Sequence, residues 1–97
     1  MASNFKILVH RNSDNLHLKL LGDFDGSSAY QLVNALKKHS AGVFSVFIHT
    51  SGLKNIYPFA RDTFQKNLHS LNHQFFGRLI FTGEDARKIA PTNSQIL

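Results

Sequence analysis

The 97-residue sequence contains no cysteine, no tryptophan and only two prolines. Without cysteine the chain has no disulfides, no thiolate metal ligands and no cysteine nucleophile, a composition that fits a reducing compartment. No apolar run reaches the roughly 20 residues that a helix needs to cross a bilayer. The N-terminal MASNFKILVHR has a short apolar patch and no small-residue cleavage pattern, so no secretory signal is read there. The cytoplasm is the expected location. Acids are scarce as well, six Asp and Glu against eleven Lys and Arg, for a formal net charge of +5.

That surplus of positive charge raises the question of nucleic acid. A nucleic-acid surface gathers its basic groups on one face, usually with aromatics where single strands are bound. Here the basic residues are scattered along the chain, and the only adjacent pairs are Lys37-Lys38 and Arg87-Lys88. Scattered charge of this kind keeps a small domain in solution. Nucleic acid is therefore not the expected partner, and a basic nucleic-acid accessory protein remains as an alternative.

What is present suits a folded chain. The apolar fraction is 42%, the charged fraction 18%, and nine phenylalanines suggest a core of Phe, Leu and Ile. The length allows one domain, residues 1–97. NFKILVHR (Asn4 to Arg11) reads as a strand, RNSDN as a turn, and LHLKLLG as a second strand. In that second strand Leu16, Leu18 and Leu20 alternate with His17, Lys19 and Leu21, the period of a half-buried strand. The two make a hairpin.

In GDFDGSS, Asp25, Ser27 or Ser28 is placed to cap the next helix. That helix carries Ala29, Leu32, Val33 and Leu36 at helical spacing, basic residues in its last turn, and a stop at Gly42. VFSVFIHT (Val43 to Thr50) is apolar at nearly every position, as in a strand buried on both faces. A Ser51-Gly52 turn then leads to a helix starting near Pro58, a residue suited to a first helical turn. Its inner stripe is Ala60, Phe64, Leu68 and Leu71. FFGRLIFTG supplies another strand, and GEDARKIA a short helix stopped by Pro91, with Thr82 and Asp85 spaced as a capping box. The order β-β-α-β-α-β-α predicts an α/β fold: a mixed sheet of about four strands, an N-terminal hairpin followed by βαβ crossovers, with helices packed on it.

Catalytic and metal chemistry finds little support. His69 and His73 have a metal-compatible spacing, but no third ligand accompanies them, so no metal is expected. His49 is followed by Thr50 and Ser51, and Asp62 is a conceivable orienting acid, yet neighbours along a strand point to opposite faces. There is no G-x-S-x-G elbow and no glycine-rich phosphate loop. Asp23 and Asp25 form a close pair of carboxylates, and capping with turn formation accounts for them. The expectation is a protein that is not an enzyme and has no cofactor.

The pattern as a whole resembles the STAS domain family, that of the bacterial anti-sigma factor antagonists. LHLKLLGDFDGSSAYQLVNAL is similar to the opening of such domains, with Leu21-Gly22-Asp23-Phe24-Asp25 in the place of their signature. VFSVFIHTSGLKNI resembles their central strand and GRLIFTG the strand after the second helix; the likeness runs from about Phe5 to Ile89. Members that switch by phosphorylation carry an Asp-Ser-Ser/Thr-Gly motif at the start of the second helix. Tyr57-Pro58-Phe59-Ala60 stands there instead, so the resemblance implies an interaction or regulatory module without that Ser/Thr phospho-switch.

On this reading Asp23, Asp25 and Ser27 form one side of a partner surface, and Tyr57, Pro58, Phe59 and Arg61 the other. Tyr57 is expected at the surface and Phe59 in the core. The alternative is a small-anion or nucleotide site at the start of the second helix, using Lys54 and Arg61. Partner identity and oligomeric state are not legible in the sequence.

Overall fold

The leucine alternation near the N-terminus does form a hairpin. In the computed structural model, which describes residues 4–69, 78–90 and 95–97, β1 (Lys6–Arg11) pairs antiparallel with β2 (Asn15–Phe24). Leu16, Leu18, Leu20 and Phe24 of β2 are fully buried, while His17, Lys19 and Leu21 alternate onto the other face. The chain continues through α1 (Gly26–His39), β3 (Ser45–Ile56), α2 (Pro58–His69), β4 (Arg78–Thr82), α3 (Ala86–Ile89) and β5 (Gln95–Ile96). The strands lie in chain order across the sheet, parallel to one another beyond the hairpin. Among the described residues there are five strands where about four were expected. The extra one, Gln95–Ile96, is too short to carry a period.

Right-handed crossovers between parallel strands laid down in chain order place every connecting helix on the same side. The core lies on that side. Ala29, Leu32, Val33 and Leu36 of α1, Ala60 and Phe64 of α2, and Ala86 and Ile89 of α3 join the buried strand residues there. Phe24, Phe64 and Phe81 run through it edge to face, with ring centroids 6.4 and 6.2 Å apart. Leu68 is only partly buried against the core, and Leu71, the last expected member of the α2 stripe, lies outside the described residues.

Two expectations need correction. The Val43–Thr50 run is not buried on both faces by packed elements: Val46, Ile48 and Thr50 face the helices, whereas Phe47 and His49 are half-buried on a face that carries no helix among the described residues. Aromatic rings on that second set hide one another, so the run looks fully apolar without being enclosed. Phe44 precedes the strand and is exposed.

Ser51-Gly52 is not a turn but the middle of β3, which continues to Ile56 beside β2 with register shifts at Lys19/Leu21 and Gly22/Asp23. A Cβ on Gly52 would run into the Leu21 side chain and come 2.7 Å from the Leu20 carbonyl oxygen. The glycine therefore serves close strand packing rather than chain reversal. Gly22 is required for a different reason: its φ is +90°, and a Cβ there would strike the Asn4 backbone.

Arg11, at the end of β1, reaches across to α1. Its guanidinium donates to the carbonyls of Ala41 at 2.7 Å and His39 at 3.3 Å, satisfying acceptors that the end of a helix leaves open.

Candidate functional site at the starts of two helices

The upper ends of β2 and β3 deliver the chain to the N-termini of α1 and α2. At the first, Asp25 is the N-cap: its Oδ1 accepts from the Ser28 backbone N–H at 2.9 Å and the Ser28 hydroxyl at 3.1 Å. Desolvation works to raise its pKa, but the Ser28 and Ser27 hydrogen bonds prevail and hold the carboxyl below its ordinary value. Ser28 is fully buried and its hydroxyl donates to the Asp23 carbonyl at 2.7 Å. The Asp23 carboxylate accepts from Asn55 of β3 at 2.8 Å. Ser27 remains exposed. The two carboxylates thus organise the turn, as the sequence reading anticipated, and Asp23 also ties β2 to the approach of α2.

At the second start the Tyr57 N–H donates to the Phe24 carbonyl at 3.0 Å, fixing the entry into α2 against β2. Tyr57 is 43% and Phe59 57% exposed, with ring centroids 6.2 Å apart. The expectation for Tyr57 holds, and that for Phe59 is reversed. Position decides the matter: Ala60 and Phe64 fill the inner side of α2, while the Phe59 ring lies over Gly26, where a Cβ would come within 3.1 Å of it. Gly26 leaves room for the ring against the first turn of α1, so Phe59 bridges the two helix starts instead of entering the core.

One helical turn beyond Gly26 on α1 stands Tyr30, itself 55% exposed. It was not anticipated. Its signal was an aromatic lying off the Ala29-Leu32-Val33-Leu36 stripe.

Arg61 does not join this aromatic group. Its Nε donates to the Ala90 carbonyl at 3.1 Å, bracing the end of α3. On that side a cavity of about 400 Å³ is lined by Ile56, Pro58, Arg61, Asp62 and Lys88. Pro58 stands between the two features. Lys54 is not among the lining residues, so the expected Lys54–Arg61 pair is not brought together there. Lys88 takes its place, already paired with Asp85 at 3.3 Å, and Asp62 adds a carboxylate. That mixed charge is poorly suited to an anion.

The other chemical candidates resolve differently from their sequence spacing. His49 bonds to His17 and Thr82, not to Ser51 or Asp62. The expected Thr82–Asp85 capping box is absent: the Thr82 hydroxyl meets His49, and Asp85 makes no side-chain cap. His69 is exposed at the end of α2, and His73 lies outside the described residues. No three potential metal-ligating side chains converge among the described residues.

No protein-family model matches this sequence, and no curated protein does. Solved structures do match its fold. The unphosphorylated anti-sigma factor antagonist SpoIIAA superposes with a TM-score of 0.64 at 13% identity, over 96% of this chain and 86% of that one. An uncharacterised DUF3478-family protein with a SpoIIAA-like fold, from Shewanella loihica PV-4, gives 0.57 at 21% identity over 100% and 90% of the two chains. A structure named Mglu gives 0.64 at 20% identity, but this chain spans only 20% of its length. The fold is SpoIIAA-like, the STAS-like architecture that the sequence resembles.

Proposed function

We propose that this chain is a non-enzymatic regulatory module of the cytoplasm that binds a protein partner at the adjoining starts of α1 and α2. The observation that carries the reading is the exposed Tyr57–Phe59 pair, with the Phe59 ring seated over Gly26; by the family resemblance, these residues stand where a phospho-switching member carries its hydroxyl. Aromatics at a rigid, partly shielded position make strong interface anchors, because they bury a large area at little conformational cost. Tyr30 extends the apolar centre, and Asp23, Asp25 and Ser27 supply a polar rim. Arg61 supports the surface from behind through Ala90.

The test has two arms. The immobilised chain and its Tyr57→Ala variant are compared for retention of proteins from the native extract, at equal folded fraction; the reading requires loss of a specific partner from the variant. In the second arm the chain is incubated with a kinase that acts on STAS domains. Stoichiometric phosphate on Thr50, Ser51 or Thr63 would overturn the reading of a module without a Ser/Thr switch. Salt separates this reading from nucleic-acid binding, since a phosphate-backbone contact weakens steeply with salt through counterion release. Displacement of the partner by phosphate or nucleotide alone would instead favour an anion site beside Arg61.

A further inference from the structure

Strand register, not sequence proximity, gathers three imidazoles on the face of the sheet opposite the described helices. His10 pairs with His17 across the hairpin, and Lys19 with His49 across β2 and β3. His17 Nδ1 lies 3.0 Å from His49 Nε2, and His49 Nδ1 lies 2.7 Å from Thr82 Oγ1. The planes of the His17 and His49 rings differ by 4°, with centroids 5.3 Å apart. That separation matches the nitrogen–nitrogen distance plus the radii of the two rings. The imidazoles therefore lie edge to edge in one plane, with their facing nitrogens aimed at each other.

A metal ion between them would need each nitrogen about 2.0–2.1 Å away. A head-on gap of 3.0 Å is too short for that and suits a single proton. One nitrogen must donate while the other accepts. If His49 Nδ1–H donates to the Thr82 oxygen, then His17 Nδ1–H donates to His49 Nε2. If the Thr82 hydroxyl donates to His49 Nδ1, the direction of both bonds reverses. In the first arrangement His17 can take an additional proton on its outer Nε2 without disturbing the pair. A second additional proton has only His49 Nε2 to occupy, and there it would face the His17 Nδ1–H.

We propose that His17 and His49 form a proton-operated latch across β2 and β3, closed while the pair carries at most one additional proton and opened by the second. The surroundings oppose that second charge. Lys19 stands opposite His49 in the register, and the His10 ring centroid is 6.2 Å from that of His17. Lys6 lies on β1 and Arg78 begins β4; Phe47, stacked 4.8 Å from His17, and Gln95 of β5 carry no charge. The acid on the same alternation of β2, Asp23, is engaged by Asn55. Burial first, then the charges of His17 and Lys19, hold the His49 pKa below its ordinary value.

The unfolded chain then binds the proton more readily than the folded one. The stabilisation is complete above about pH 6.5, the unfolded histidine value. It is lost progressively as pH falls from there towards the folded-state value. Opening the latch places two imidazolium charges on the sheet face opposite the described helices.

The test follows the imidazole nitrogens of the full chain by NMR from about pH 8 to about pH 5, the range in which histidines change charge. The latch requires His17 and His49 to titrate in two coupled steps separated by about one pH unit or more, each step shifting the nitrogens of both rings. Two independent single steps would overturn it. The His17→Asn/His49→Gln double variant keeps amide groups near the positions of Nδ1 and Nε2 but removes both titrations. The wild-type chain should lose several degrees more in melting temperature than this variant over the same pH fall, while equal losses would also refute the latch. Should the variant fail to fold, the wild-type titration still decides.

Discussion

Phe59 and Phe64 lie five residues apart on the same helix, yet one is 57% exposed and the other fully buried. Phe64 sits in the edge-to-face series with Phe24 and Phe81, and Phe59 lies over Gly26 beside Tyr57. The contrast shows two uses of one side chain. Phe64 holds the helix to the sheet, whereas Phe59 is held by the fold and turned outward. A module that recognises a partner needs both, because an exposed anchor binds well only when the scaffold beneath it is rigid.

The comparison is sharpened most by Phe64→Ala, which removes a fully buried aromatic and should cost about 3–5 kcal/mol of stability. That is a large share of the roughly 5–15 kcal/mol available to a native domain. Thermal melting should fall by tens of degrees, while affinity per folded molecule stays unchanged. A small melting shift would mean that the inner aromatic series contributes little.

Next in size is Tyr57→Ala. Truncating an interface anchor typically costs about 2 kcal/mol of binding, roughly a thirtyfold loss of affinity. The melting temperature should scarcely move, since Tyr57 is 43% exposed. A large drop in melting temperature with affinity per folded molecule intact would instead class Tyr57 with Phe64.

The cap of α1 gives a smaller effect. Asp25→Ala should destabilise the fold by about 1 kcal/mol, because the Ser28 N–H loses its acceptor, and Asp25→Asn should nearly restore it. Chemical denaturation of the two variants checks this. Equal losses in both would show that the carboxylate charge, rather than its acceptor geometry, supports the helix.

The sequence made the hairpin, the α1 stripe and the Asp25 cap legible because each follows a local period or a spacing of three residues. Leu16, Leu18 and Leu20 are all fully buried. Gly52 misled because a glycine needed for space under Leu21 looks the same as one needed for a turn. Phe59 misled because an aromatic in a first helical turn suggests a residue folded under the helix; its true position depends on Gly26, 33 residues earlier, which leaves space for the ring. The His17–His49–Thr82 chain was hidden for a related reason. Its members come from three strands, and only the shared register of β2, β3 and β4 brings them within hydrogen-bond distance.

The central claim is that the outward aromatics at the start of α2, Tyr57 and Phe59, bind a partner without carrying the fold. Its most direct test is Phe59→Ala, measured for thermal melting and for affinity towards the protein retained by the wild-type chain. The account predicts a melting temperature within a few degrees of wild type and an affinity reduced about thirtyfold, equivalent to about 2 kcal/mol. An unchanged affinity per folded molecule, whatever the melting temperature, would contradict it.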